Sequence, residues 1–436
     1  NGGGKTAILD AIRIALGPYL SVFPTGKSSG IENDDIRQVK TLPELGQMAD
    51  ALPVAIYAKA LLDSSKTEEW YRERVSRKGK TTIKDAKKLM VYGRRLQARE
   101  AKNESADSWP LIACYGTGRL WDQLKLSGKK LFKTGFHARA AGYQDCMTPA
   151  SSYKFFIEWF MYATRADNHA KLRALEQGRF VSQEDLNWIS GPFSILLRAV
   201  NQAVGTVLKP TGWGNLRFSE TFGYATVEHP DQGVLAVGQM SDGIRNTIAL
   251  VADIAWRCVQ LNAHLGDAAV RDTEGIVLID EVDMHLHPEW QQLIVGSLRE
   301  AFPRIQFIVT THSPQVLTTV DAESVRIIYP EPDETGVVVC IAKQPEEQTK
   351  GVASAHVMAL NMNTDPVPPI AEARWISDYR ALIQQGLHES HEGLDLREKL
   401  VAHFGEGHPE ILECDRLVRL ETFKRRLPSR SHGKEG

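Results

Sequence analysis

Residues Ile276-Val277-Leu278-Ile279-Asp280-Glu281 set four apolar residues directly in front of two carboxylates. A short, mostly β-branched run of this kind predicts a strand buried on both faces, as in a parallel sheet. A second such run, Gln306–Thr310, follows after a helical pattern over residues 292–302, so the segment reads as strand, helix, strand. The order of the two carboxylates matters. The first, at the strand end, can hold a metal beside a bound phosphate; the second can orient a water and take its proton. Many buried strands end in an acidic residue, so this reading needs a phosphate-binding partner elsewhere in the chain.

The partner stands at the other end. Asn1-Gly2-Gly3-Gly4-Lys5-Thr6 matches the second half of the loop G-x-x-x-x-G-K-[ST]. Glycines let backbone N–H groups curl around phosphate oxygens, and the helix that follows turns its positive N-terminus toward the anion. In this pattern Lys5 reaches the β and γ phosphates and Thr6 sets its hydroxyl on Mg²⁺. The first glycine of the motif, and the strand before it, are expected upstream of Asn1. The helix itself shows in Ile8, Leu9, Ile12 and Leu16 at helical spacing.

Two further pieces lie in order. Thr310-Thr311-His312-Ser313-Pro314 closes the second strand run, and a histidine at that strand edge can sense a γ-phosphate in the crevice where such sheets bind ligands. Gln239-Met240-Ser241-Asp242-Gly243 opens a long helix over Ser241–Leu261. Its serine is either an ordinary cap or part of a second anion-binding helix start.

These four pieces, in this order, resemble the ABC-type ATPase heads of the SMC, RecF and OLD group. The resemblance implies an α/β fold, a P-loop ATPase head with a mixed sheet flanked by helices, carrying a globular, largely helical insertion and a helical C-terminal segment. It makes Asp280 the magnesium carboxylate, Glu281 the catalytic base and His312 the switch histidine. It makes Ser241, Asp242 and Gly243 a signature that contacts ATP held by the opposite subunit of a homodimer or higher homo-oligomer joined through its heads. Asp242 stands where the common signature has glycine, and Ile244-Arg245 follows. Gln38, in Asp34-Asp35-Ile36-Arg37-Gln38, is the candidate for the glutamine that joins the metal to the second lobe.

Lys5 and Asp280 are 275 residues apart, with no heptad repeat between them. A compact transporter subunit would place them closer, and an SMC protein would fill the gap with coiled coil. Three stretches, Asp280–Gln291, Pro110–Trp121 and Ser241–Asn246, resemble a bacterial AAA/ABC-type ATPase family. Its members include the PtuA subunit of Septu anti-phage systems and retron-associated ATPases. That resemblance implies ATP and Mg²⁺ as ligands and ATP-dependent assembly with an HNH nuclease partner. A nucleotide-sensing scaffold with little turnover and a RecF-type DNA-repair ATPase are the alternatives. The expected division is 1–125 and 211–345 for the two lobes of the head, 126–210 for the insertion and 346–436 for a helical packing or partner-docking region.

Composition bounds the rest. The 436 residues are 42% hydrophobic with net charge −2, which excludes a disordered chain and a globally basic nucleic-acid binder. A local basic stretch remains. Residues 61–104 carry thirteen Lys/Arg against seven Asp/Glu, with Arg72, Arg74, Arg77, Lys78 and Lys80 on a hairpin-like segment and Lys84 to Arg99 on a helix. The basic stretch 72–99, with Lys125 to Lys133 beyond it, is either a solvated face or a surface for nucleic acid or an acidic partner. The five cysteines are scattered without a CxxC pair, which fits a reducing cytoplasm and suggests neither zinc nor disulfides. Apolar runs fall far short of the about 20 residues of a membrane span. No nuclease site is evident: beyond His312, Asp395 is followed by Leu396-Arg397 rather than completing Asp-x-Asp, and the pairs His285/His287, read as a structural loop after the acidic strand end, and His388/His391 lack a third ligand.

Overall fold

The computed structural model describes residues 4–42, 47–63, 66–102, 107–119, 138–148, 153–177, 191–332 and 338–426. The chain divides into two compact units, Asn1–Ser354 and Ala355–Gly436.

In the first unit the strands β5 (Leu111–Tyr115), β9 (Gly275–Ile279) and β10 (Ile305–Val309) form a parallel sheet in the order β10-β9-β5. Their registers coincide. Leu111 and Ile305 both pair with Gly275, and Tyr115 and Val309 both pair with Ile279. All three strands therefore end at one edge, which is where Gly116, Asp280 and Thr310 emerge. β5 is buried at every position, as a near-continuous apolar strand should be.

The Lys5–Leu20 helix brings its N-terminus to that edge. Leu9, Leu16, Tyr19 and Leu20 anchor it in the core. The helical spacing of Ile8, Leu9, Ile12 and Leu16 carries the pattern only as far as Leu16. The helix instead runs through Pro18 to Leu20, because the side chains of its last turn, Tyr19 and Leu20, are almost wholly buried. The stretch after it contains the antiparallel pair β1 (Gln38–Leu42) and β2 (Gln47–Asp50). Neither strand has the bulky alternation that makes a strand legible.

β3 (Val54–Asp63) and β4 (Lys66–Arg74) form a hairpin. Trp70 Nε1 donates to the carbonyl of Ala15 at 3.0 Å, tying that hairpin to the Lys5–Leu20 helix. β6 (Gly214–Ser219), β7 (Tyr224–His229) and β8 (Gly233–Ala236) form an antiparallel meander, and β11 (Ile327–Pro332) pairs with β12 (Val338–Lys343).

The Asp242–Leu261 helix is buried on every side from Ile248 to Val259, so it reads as a central core helix rather than an amphipathic surface one. The Lys154–Glu176 and Pro192–Leu208 helices join the same core through Phe156, Trp159, Val200 and Val204.

In the second unit three helices, Ala371–Gln385, His391–Phe404 and Pro409–Arg426, close around Tyr379, Ile383, Leu396, Leu400, Ile411 and Cys414. The apolar stripe Trp375, Tyr379, Leu382 and Ile383 is spent on this internal core. Among the described residues no helix is long and apolar enough to cross a membrane.

Candidate nucleotide site at the parallel-sheet edge

Asp280 stands one residue past β9 and is 7% exposed. Its backbone N–H continues the sheet by donating to the carbonyl of Tyr115 at 2.8 Å. Thr6 Oγ1, from the second residue of the Lys5–Leu20 helix, donates to Asp280 Oδ2 at 2.9 Å across 274 residues of chain. Thr310 Oγ1 donates to the other oxygen, Oδ1, at 2.5 Å. The glycine-loop threonine and the strand-end aspartate, read separately in the sequence, are thus joined by a hydrogen bond.

Gly4 caps that helix with φ +77°, a left-handed conformation that glycine adopts without steric cost. Among the described residues no side chain caps the helix start, which leaves its leading N–H groups open to another acceptor. Lys5 is half-buried and Thr6 exposed. Asn1, Gly2 and Gly3 lie outside the described residues.

Would this edge suit ATP and magnesium? A threonine hydroxyl and a carboxylate 2.9 Å apart are hard oxygen donors of the kind Mg²⁺ takes alongside phosphate oxygens. The uncapped helix start beside them suits an anion. The residues present fit the pair.

Glu281 follows, half-buried, with backbone φ +48°. Its N–H donates to Thr310 Oγ1 at 2.8 Å. The loop after it folds back on itself, with Met284 N–H on the carbonyl of Glu281 and Leu286 N–H on that of Asp283, both at 3.0 Å. Arg119, 3% exposed, reaches in from the end of β5. Its guanidinium donates to the carbonyls of Gly116 (2.9 Å), Asp280 and Glu281 (2.5 Å). Burial lowers its pKa from the usual arginine value, but a guanidinium remains charged there.

His312 lies exposed past the end of β10, and Ser313 beside it caps the short Pro314–Leu317 helix by accepting from Val316 N–H at 3.3 Å.

Ser241 is the N-cap residue of the Asp242–Leu261 helix by position, yet its hydroxyl makes no capping hydrogen bond and it is exposed. Asp242 pairs with Arg245 at 2.5 Å. Gly243 is buried against the loop after Glu281: a Cβ there would sit 2.4 Å from the carbonyl oxygen of His285. That close approach explains the glycine within one chain and ties the start of the Asp242–Leu261 helix to the loop behind the acidic pair.

Gln38 is on β1, exposed, with its side-chain amide 3.5 Å from Asp50; none of its hydrogen bonds reaches Thr6 or Asp280. The basic stretch needs a correction. Arg72 and Arg74 are 2% and 7% exposed, and their guanidinium groups are spent on backbone carbonyls, Arg72 on Ile14, Ser29 and Thr82, Arg74 on Ile31, Ser76 and Arg77. They are internal struts, because alternate residues of β4 point inward. Arg77, Lys78, Lys80, Lys84, Lys87 and Arg94 are exposed. Lys125 to Lys133 fall outside the described residues. Among the described residues no cluster of three metal-ligating side chains exists, at His285/His287 or His388/His391 or elsewhere.

Two residues of the site were not assigned roles from sequence: Arg119 and Thr310. Both stand within stretches that the sequence marks, Gly116-Thr117-Gly118-Arg119 and Thr310-Thr311-His312. The usable signal was position: Thr310 directly follows β10 and Arg119 ends the turn after β5, and both strands run alongside β9.

A family model described as "AAA domain, putative AbiEii toxin, Type IV TA system" matches residues 153–318, and one described as "AAA domain" matches residues 1–177. The chain is 27% identical to "Retron Ec83 probable ATPase" of Escherichia coli, over 98% of this chain and 81% of that protein. It is 28% identical to "Retron Vc95 probable ATPase" of Vibrio cholerae serotype O1 biovar El Tor, over 59% of this chain and 54% of that one. It is 37% identical to "Septu protein PtuA" of Bacillus mycoides (strain KBAB4), over 30% of this chain and 18% of that one. Among solved structures it is similar to the Smc head bound to the C-winged helix domain of ScpA, at 14% identity and TM-score 0.38, over 79% of this chain and 88% of that one. The fold is that of an AAA-type P-loop ATPase, α/β with helices flanking the sheets and a helical C-terminal part.

Proposed function

We propose that the chain is the ATP-binding and ATP-hydrolysing subunit of a bacterial anti-phage defence complex, in which the nucleotide state controls a separate HNH nuclease of PtuB type. The observation that carries the ATPase half is the hydrogen bond from Thr6 to Asp280, which joins the phosphate-loop helix to the acidic strand end. The similarity to retron ATPases and Septu PtuA supports the defence half.

On this reading Lys5 and the uncapped start of its helix bind the phosphates, and Thr6 and Asp280 hold the magnesium ion. That ion, when bound, neutralises charge on the β and γ phosphates. Glu281 orients the attacking water and accepts its proton, and His312 stands beyond the neighbouring strand to report the γ-phosphate. Two such heads would enclose two ATP molecules, each closed by the exposed Ser241 hydroxyl and the helix start behind it on the partner copy. The exposed lysines and arginines between Arg77 and Arg94 are a candidate surface for nucleic acid or an acidic partner, bound in a salt-sensitive way. The helical region 346–436 is the candidate docking region for the nuclease.

The test uses the full protein. ATP turnover by the purified chain should be lost in Asp280→Ala. Co-expression with an HNH nuclease encoded beside it should give a complex that cleaves nucleic acid, while the chain alone cleaves none. Tight ATP binding without turnover would make it a nucleotide-sensing scaffold. Metal-dependent cleavage by the chain alone, lost on substituting an Asp or His outside the ATP site, would overturn the division of labour.

A further inference from the structure

Glu281 holds a left-handed backbone conformation, φ +48°, in a residue that is not glycine. Such a conformation is uncommon for glutamate and persists only where the surroundings impose it. Two side chains meet its peptide groups from opposite sides. From β10, the single hydroxyl of Thr310 accepts the Glu281 N–H at 2.8 Å and donates its own proton to Asp280 Oδ1 at 2.5 Å. From the end of β5, the buried guanidinium of Arg119 donates to the carbonyls on either side of that N–H turn, those of Asp280 and Glu281, and to its own strand's Gly116.

The residue types match the task. A hydroxyl can accept from an amide and donate to a carboxylate through one oxygen; valine, of the same shape, can do neither. A guanidinium presents donors in a fixed planar fork and can serve several carbonyls at once, which a lysine ammonium serves less well. The peptide of Glu281 is thereby fixed at both its N–H and its C=O, and the direction in which the carboxylate leaves the backbone is fixed with it.

We propose that Thr310 and Arg119 are positioning residues that clamp the backbone of Glu281 and so aim its carboxylate. The proposal rests on Glu281 being the general base. It makes the strand-end threonine ahead of His312, and the arginine at the end of the neighbouring strand, part of the hydrolytic machinery without contact to ATP.

The experiment compares Thr310→Val, Thr310→Ser, Arg119→Lys and Glu281→Gln in the full chain. Three quantities are read: steady-state kcat, direct binding of a fluorescent ATP analogue, and nucleotide-free hydrogen exchange over residues 279–287. Misplacing a reacting group by about 1 Å can cost on the order of 10²-fold. Thr310→Val should therefore lower kcat by about 10- to 100-fold with analogue affinity nearly unchanged, and should speed exchange over 279–287. Thr310→Ser should restore both, and Arg119→Lys should lower kcat in the same sense. A folded Thr310→Val variant with wild-type kcat overturns the clamp, as does one in which affinity falls in step with kcat. Should Thr310→Val fail to fold, Arg119→Lys decides: wild-type turnover there overturns the proposal, and reduced kcat at unchanged affinity upholds it. Glu281→Gln separates the two levels. If it turns over like wild type, the reading of Glu281 fails; if it is inactive while the clamp variants are unaffected, only the clamp fails.

Discussion

Asp280 and Asp253 are two nearly sealed aspartates held in different ways. Asp253, 1% exposed in the middle of the Asp242–Leu261 helix, accepts from Arg257 Nε at 2.8 Å and from the Tyr115 hydroxyl at 2.7 Å. Burial opposes the charge on Arg257, but the carboxylate of Asp253 beside it prevails and its pKa rises; burial and the same carboxylate push the Tyr115 hydroxyl well above its usual range. Among the described residues Asp280 accepts from two threonine hydroxyls, and no cationic side chain there forms an ion pair with it. A buried carboxylate needs compensation. At Asp253 the fold supplies it permanently; at Asp280, past the end of β9, hydroxyl dipoles supply part, and on the proposed function a bound cation would supply the rest. On that reading the first is structural and the second is chemical. One residue joins them, since Tyr115 gives its hydroxyl to Asp253 and its carbonyl to the N–H of Asp280.

The largest expected effect lies on the chemical side. Glu281→Gln should cut ATP turnover by about 10²–10⁴-fold while direct binding of ATP persists, because the base is lost and the phosphate and metal groups remain. Steady-state hydrolysis and a binding titration check it, and unchanged turnover would break the assignment.

On the structural side, Arg257→Met leaves Asp253 buried without its partner. It should cost about 3–5 kcal/mol in urea denaturation. Asp280→Asn, by contrast, keeps an acceptor oxygen for one threonine and turns an N–H2 toward the other, whose hydroxyl can rotate to accept it, and should stay within about 1 kcal/mol of wild type while abolishing turnover. Equal stability losses at the two positions would erase the distinction between the two aspartates.

The smallest effect on the fold is expected at Ser241. Its hydroxyl caps nothing in this chain, so Ser241→Arg should cost no more than about 1 kcal/mol of stability. It should nevertheless block ATP-dependent pairing of two heads, read by size-exclusion chromatography in a Glu281→Gln background. An unaltered ATP-dependent dimer would show that the segment has no role across an interface.

The helix starts beside Thr6 and Ser241 and the strand ending before Asp280 and Glu281 were legible because each is a local pattern: a glycine run before a lysine, a serine before a long apolar helix, an apolar run ending in acids. Arg72 and Arg74 were misread for the complementary reason. Charge density along a sequence does not say which face of a strand turns inward, and alternate residues of β4 carry their guanidinium groups onto buried carbonyls. The β1–β2 pair was missed because short polar strands carry no period to detect.

The sequence by itself determined the helix that follows the glycine run and the buried strand that ends before Asp280, since both depend on residue type at fixed short spacing. Tertiary structure alone decided which distant residues complete the site. Thr6 meets Asp280 across 274 residues, Arg119 reaches Glu281 across 162, and Gly243 packs on the carbonyl of His285. Those meetings depend on strand order and register. β5 and β10 flank β9 and end level with it, so residues remote in the chain emerge side by side, and no local pattern encodes that alignment.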